Sequence, residues 1–353
     1  MLADMGQNRI RNLDGLRCVA ILLVIVGHLR YSLAPLNEPG GILLLIASFG
    51  SMGVDIFFAI SGFLITNRLL NEFNRNGSIS LKAFYLRRIF RLFPALLVFL
   101  LFLAGLSGVG VIGVSQGELF ASALFYRNFY TGPSGWFTAH FWSLAVEEHY
   151  YLIFPALLLF CAKRKWNLRW FLCISCLLLI VWQVLDQRVW NSLGFLGLDS
   201  HTRSDYRMVS LFAGALVGAR WTLDNGLNYR SKKIEMVILV SLSLAFISFL
   251  KAHLGLEEIW RPFILAEIVA LVVDLGDVAL VSWLEWVPIA WIGRISYSLY
   301  LWQQLFLVPY ELRSDLQWTD FPVNLALVFV MAAISYYVIE KPFIKVGHRI
   351  ASR

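Results

Sequence analysis

Apolar residues arrive along this chain in long blocks, and polar residues gather between them. A helix needs about 20 apolar residues to cross roughly 30 Å of hydrocarbon. Ten blocks of that order are read, at 16–36, 41–66, 92–113, 142–161, 168–186, 205–223, 234–252, 263–283, 291–310 and 321–339. Backbone groups in lipid must satisfy one another, so runs of this length predict helices. The expected fold is all-α: a polytopic transmembrane helical bundle of about ten spans. The blocks at 92–113 and 234–252 are plainly apolar, whereas Glu267, Asp274 and Asp277 interrupt 263–283. No internal repeat and no Ser- or Pro-rich linker divides the chain, and residues 1–353 read as a single transmembrane domain.

Composition agrees. Of the 353 residues, 59% are hydrophobic and 15% charged, against about 45–50% and about 25% in a soluble domain. Ten spans leave no length for a large soluble domain. The net charge of +7 would suit a nucleic-acid partner, but the Lys and Arg cluster between apolar blocks. That is the pattern of membrane topogenesis, and nucleic acid is excluded as a partner. With the N-terminus inside, 20 of the 30 basic residues face the cytoplasm and 8 the opposite side, Arg17 and Arg294 lying at span ends. Both termini are therefore expected to be cytoplasmic. The first fifteen residues hold no apolar signal region, so the first span is expected to serve as its own signal. Cys173 and Cys176 form C-x-x-C inside the apolar run FLCISCLLLI. With no ligand histidine nearby, packing is the expected role, and no metal site is predicted.

One connection departs from the others. From Ile79 to Phe93 the chain reads ISLKAFYLRRIFRLF, with basic residues alternating with Phe, Leu, Ile and Tyr. This pattern predicts an amphipathic helix lying on the inner leaflet. It reads either as an anchor on anionic lipid or as a site for a polyanionic ligand. Arg88 and Arg91, at i and i+3, present two guanidinium forks suited to phosphates.

Polar residues inside spans are expensive and point to function. Arg17 and His28 are eleven residues apart, which places them on one helix face about 16 Å apart. Histidine suits a general base that takes a proton from a hydroxyl. In HFWSLAVEEHYY, Glu147 falls at a depth close to that of His28, so the two are expected to meet if their spans are neighbours. A carboxylate that orients an imidazole is a recurring base arrangement. Tyr151 shares the Glu147 face at i+4. Ser143 of the same span, and Asp55 and Ser61 of GVDIFFAISGFLIT, are supporting candidates. Asp55 is expected to be the buried partner of Arg17 or Arg294. No G-x-S-x-G elbow surrounds Ser61, which argues against a serine hydrolase.

These segments resemble, in order, those of the membrane-bound acyltransferase family 3 proteins. The likeness covers essentially the whole chain. It is carried by NLDGLRCVAILLVIVGH, GVDIFFAISGFLIT, FYLRRIFRLFP, HFWSLAVEEHYYLIFP, ISYSLYLW and SYYVIEKPF. The resemblance implies an integral-membrane O-acyltransferase, most often acetyl, of the bacterial inner membrane. It implies acyl-CoA as a cytoplasmic donor substrate, with no bound cofactor, and a carbohydrate hydroxyl as acceptor on the outer side. His28 then corresponds to the catalytic base, Arg17 to its essential partner, Glu147 to the motif acid, and Arg88 and Arg91 to donor-binding residues. Glu148 falls at a position that varies.

Two departures are visible. The family often has a histidine after SYSLYLW, where this chain has Gln303 and Gln304. Many relatives also carry an extracytoplasmic hydrolase-like domain, which is not expected here; a second transfer would then fall to a separate glycan-assembly protein. A transporter or flippase also places polar groups in mid-span, but the basic amphipathic segment and the lack of a repeat weigh against it. A third reading keeps the chemistry and changes the acceptor to a secondary-metabolite sugar.

Overall fold

The computed structural model describes residues 10–33, 46–133, 135–186, 202–224, 226, 257–276, 279–312 and 317–352. These residues form helices and no strand. In chain order they are α1 (Arg11–Leu33), α2 (Gly50–Asn76), α3 (Leu81–Gly108), α4 (Gln116–Ala123), α5 (Trp136–Ala139), α6 (Phe141–Lys163) and α7 (Leu168–Leu185). There follow α8 (Ser204–Leu223), α9 (Glu257–Asp274), α10 (Ala279–Ser282), α11 (Val287–Arg294), α12 (Ser296–Phe306), α13 (Val323–Ile334) and α14 (Lys341–Ala351). A π-helical turn, Ser335–Glu340, joins the last two.

Among the described residues, six helical stretches are long and apolar enough to cross a membrane: α1, α2, α3, α5 with α6, α7, and the run from α13 through α14. Their outer faces are hydrocarbon. Leu101 is 71% exposed, Leu152 65% and Leu178 63%, whereas Asp55, Arg261, Gln303 and Gln304 are buried. Apolar residues outside and polar residues inside describe a chain whose solvent is lipid.

Small residues bring the helices together. A Cβ on Gly62 of α2 would lie 2.0 Å from the Leu211 carbonyl of α8, and one on Gly214 of α8 would lie 2.2 Å from the Ala59 carbonyl. Gly27 of α1 meets Gly50 of α2 in the same way. Backbone contact of this kind replaces the hydrophobic drive that lipid cannot supply. Three apolar cores result. One joins α1, α3, α6, α12 and α13, a second joins α1, α2, α8 and α9, and a third joins α2, α3, α6, α7 and α8.

The predicted blocks and the helices coincide in most places and differ in three. The segment Ile79–Phe93 is not a separate leaflet helix but the first half of α3, capped by Ser80 and continuous through Pro94. Its basic and aromatic face turns to α6: the Tyr85 hydroxyl donates to the Leu152 carbonyl at 2.7 Å and Arg88 stacks on Tyr151. The block 291–310 is divided at Ile295, whose dihedrals (φ −90°, ψ 9°) depart from the helix although its N–H still donates to the Trp291 carbonyl at 3.2 Å. There α11 presses Gly293 against the Asp14 carbonyl of α1. The block 263–283 ends as a helix at Asp274. The expected span 234–252 lies outside the described residues.

Candidate functional site

His28 sits in the last two turns of α1, half-buried. Its Nδ1 is 3.3 Å from Oε1 of Gln303, which α12 carries fully buried. An amide oxygen can only accept, so this contact puts the proton on Nδ1 and makes Nε2 the basic nitrogen. Trp136 of α5 closes over the ring edge-on, with centroids 5.4 Å apart. Trp136 is itself fixed by its indole N–H, which donates to the Gln304 carbonyl at 2.9 Å.

A second imidazole is held by the neighbouring glutamine. The backbone N–H of His140 donates to Gln304 Oε1 at 2.9 Å, and its ring Nδ1 contacts the same oxygen. Tyr300 and Ser143 support it: their hydroxyl oxygens each lie 3.1 Å from the His140 carbonyl and 2.5 Å from each other, so that one donates to the carbonyl and the other to its neighbour. Sequence reading does not find this second pair. The available signal was two adjacent amides in an apolar run, ISYSLYLWQQLF, where nothing in lipid would satisfy them.

From this end a line of polar side chains continues inward. One turn of α6 beyond Ser143 lies Glu147, whose carboxylate accepts from the Ser61 hydroxyl of α2 at 2.9 Å. One further turn brings Tyr151, buried, with the Arg88 guanidinium 3.5 Å from its ring centroid. Arg91 follows on α3, and Arg17 and Arg68 lie within its electrostatic reach. Arg17 also pairs with Asp14 at 3.6 Å. His28 and Arg17 thus stand about 16 Å apart along α1 at 1.5 Å per residue, with the polar line beside them. Glu340, in the π-helical turn, accepts from Ser298 and from Ser335 and borders the same cationic end. π-Turns of this sort recur at functional sites.

The sequence candidates therefore fall into two groups. His28, Glu147, Tyr151, Ser61, Ser143, Arg17, Arg88 and Arg91 line one interior track. Glu147 and His28 share that track but do not bond to each other; Gln303 and Ser61 take the places each was expected to fill for the other. Asp55 belongs elsewhere. It pairs with neither Arg17 nor Arg294, but with Arg261 of α9 at 2.7 Å and Arg207 of α8 at 3.6 Å, and it accepts from Ser210 at 3.0 Å. The reason is rotation: Gly53 of α2 faces Ala20 of α1, and Asp55, two residues and about 200° further round the helix, turns to α8 and α9, which supply the cations. No cluster of metal-ligating side chains occurs among the described residues.

The fold and this interior track define an integral-membrane helical protein with titratable groups placed along its depth. Family comparison identifies it further. A family model described as an acyltransferase domain matches residues 10–340, and the chain belongs to that family of membrane acyltransferases. Peptidoglycan O-acetyltransferase OatA of Listeria monocytogenes is 28% identical over 97% of this chain and 57% of its own length. A Staphylococcus aureus protein named as an O-acetyltransferase is 30% identical over 96% of this chain and 58% of its own. YrhL of Bacillus subtilis, named for peptidoglycan O-acetylation, is 27% identical over 98% of this chain and 56% of its own. This chain thus spans a little over half the length of these relatives. No solved structure matches.

Proposed function

We propose that this protein is an O-acetyltransferase that carries an acyl group from cytoplasmic acyl-CoA to a hydroxyl of a surface or exported carbohydrate. The observation that carries this reading is the interior track, which has a base at one end and guanidinium groups at the other. CoA has its phosphates at one end of a long, flexible arm and its thioester at the other. Arg88, Arg91, Arg68 and Arg17 suit the phosphates, and the arm follows Tyr151, Glu147 and Ser143 toward His28. There Nε2 takes the proton of the acceptor hydroxyl as its oxygen attacks the thioester carbon. The carbon–sulfur bond breaks, the CoA thiolate leaves, and the imidazolium returns its proton to the sulfur. Glu147 lies between the two ends, where its charge orders the track.

In this reading the chain crosses a bacterial inner membrane ten times with both termini in the cytoplasm, which suits the 20-to-8 distribution of basic residues. The relatives' names favour acetyl as the acyl group and a glycan such as peptidoglycan as acceptor. A separate glycan-assembly protein is the natural partner for a second transfer.

The test is transfer of labelled acetyl from acetyl-CoA to carbohydrate in inverted membrane vesicles. His28→Ala is expected to lose a factor of about 10²–10⁴ in rate while inserting normally. Wild-type rate in an inserted His28→Ala protein would overturn the reading.

A further inference from the structure

We infer that Gln303 is a catalytic residue with two tasks: its amide oxygen fixes the His28 tautomer, and its amide N–H holds the acyl oxygen during transfer. This rests on the reading of His28 as the base. Gln303 is 0% exposed and its Oε1 faces His28 Nδ1 at 3.3 Å. Its Nε2 has no hydrogen-bond partner. A buried amide nitrogen with two unused donors is costly, and native structures keep such groups for a reason. Covalent geometry puts this nitrogen beside the oxygen that holds the imidazole, so donor and base occupy one small space.

That juxtaposition is what acyl transfer requires. When the acceptor oxygen adds to the thioester carbon, the carbonyl π pair moves onto oxygen and negative charge develops there. A donor already in place, out of water, stabilises that charge without reorganising. The proton removed by His28 Nε2 goes to the departing sulfur, and the Gln303 N–H is kept throughout. Gln304 offers a contrast, because its oxygen is fully engaged by the His140 backbone and ring. The two adjacent glutamines therefore divide: Gln304 builds the wall, and Gln303 faces the chemistry.

Two measurements decide this. The first is ¹⁵N NMR of histidine-labelled protein in bilayers, with His28→Ala supplying the assignment. Wild type is expected to show Nδ1–H and an unprotonated Nε2 at His28. The opposite tautomer would mean that the amide donates to the ring, and would overturn the inference whether or not acyl transfer is observed. The second is steady-state transfer by Gln303→Glu and Gln303→Met across pH values at which a carboxylate is ionised. Glutamate keeps the acceptor for Nδ1–H and loses the donor. Removing one such donor costs about 10²–10³-fold in kcat elsewhere. That loss is expected in Gln303→Glu at unchanged donor KM, and in Gln303→Met together with a mixed tautomer. A Gln303→Glu enzyme as fast as wild type would leave Gln303 as an orienting group only and overturn the second task. Absence of transfer in wild type would count against the proposed function, with the tautomer still read directly.

Discussion

The guanidinium of Arg88 lies 3.5 Å from the ring centroid of Tyr151, joining the basic half of α3 to the interior of α6. A cation over a desolvated aromatic face gains about 2 kcal/mol, and Glu148 and Glu147 stand within electrostatic reach of the same guanidinium. If this fork holds the donor phosphates, both partners matter. Arg88→Lys keeps charge but loses the fork, and should raise the donor KM about tenfold or more. Tyr151→Leu should do the same by releasing the guanidinium, whereas Tyr151→Phe keeps the ring and most of the affinity. Saturation kinetics in acetyl-CoA at fixed acceptor measure this. An unchanged donor KM in Tyr151→Leu would mean that the stack is packing alone.

Asp55 is 1% exposed and faces two arginines, Arg207 and Arg261, from different helices. Removing one partner of a buried ion pair costs about 3–5 kcal/mol, because the remaining charge stays in a low-dielectric interior. Asp55→Asn should therefore lower the thermal midpoint in detergent sharply. The double variant Asp55→Asn with Arg261→Met should recover part of that loss, since it also removes the stranded cation. Additive losses in the double variant would show that the pair is not coupled.

These two contacts also show what the sequence could and could not disclose. Helical blocks were legible because lipid forces period and length on the chain, and the polar residues of the track stood out against that apolar ground. Partners were less legible. Depth along a helix follows from counting residues, and counting is what suggests His28 and Glu147 as partners. Rotation about the bundle does not follow, and it is rotation that gives His28 to Gln303, 275 residues away, and Glu147 to Ser61. The same gap led Asp55 to be matched with Arg17 when α8 and α9 hold its cations. The basic aromatic segment was legible as a helix. Its continuation into α3 depends on α6 offering Tyr151 and the Leu152 carbonyl, which no local pattern records.

The glycine contacts between α2 and α8 allow a graded test. A methyl on Gly62 or Gly214 would have to displace backbone, at 2.0 Å and 2.2 Å from carbonyl oxygens. Overpacking of this kind costs about 1–3 kcal/mol. Gly105 of α3 has nothing within 4 Å of the same position, and alanine there should be neutral or stabilise by about 0.5–1 kcal/mol. Thermal unfolding of Gly62→Ala, Gly214→Ala and Gly105→Ala should separate the first two from the third. Equal midpoints in all three would mean that α2 and α8 do not pack backbone to backbone.

The loop before α6 has an acid-labile clasp centred on Glu118 of α4, outside the long apolar helices. One carboxylate oxygen accepts from the Gly135 N–H at 2.5 Å and the Thr138 hydroxyl at 3.0 Å, and the other from the Ser115 N–H and hydroxyl, each at 3.0 Å. Arg127 stands 3.7 Å away. Burial pushes the Glu118 carboxyl upward, but bonds from the Ser115 and Gly135 backbone and the Ser115 and Thr138 hydroxyls outweigh it, and the group lies below the usual carboxylate range. A lowered folded value has a definite sign. The clasp's contribution is complete above the unfolded value of about 4.3 and is lost as pH falls through the lower folded value. Amide protection factors at Ser115 and Gly135, read by hydrogen exchange in nanodiscs, should therefore be flat from neutrality to about pH 5 and fall below about pH 4. Glu118→Gln should lose protection at Gly135 already at neutral pH and lose the acid dependence, because a neutral amide offers one acceptor where the carboxylate offers two. Full protection in Glu118→Gln would show that the loop is held by packing against Phe137 and Phe141 instead.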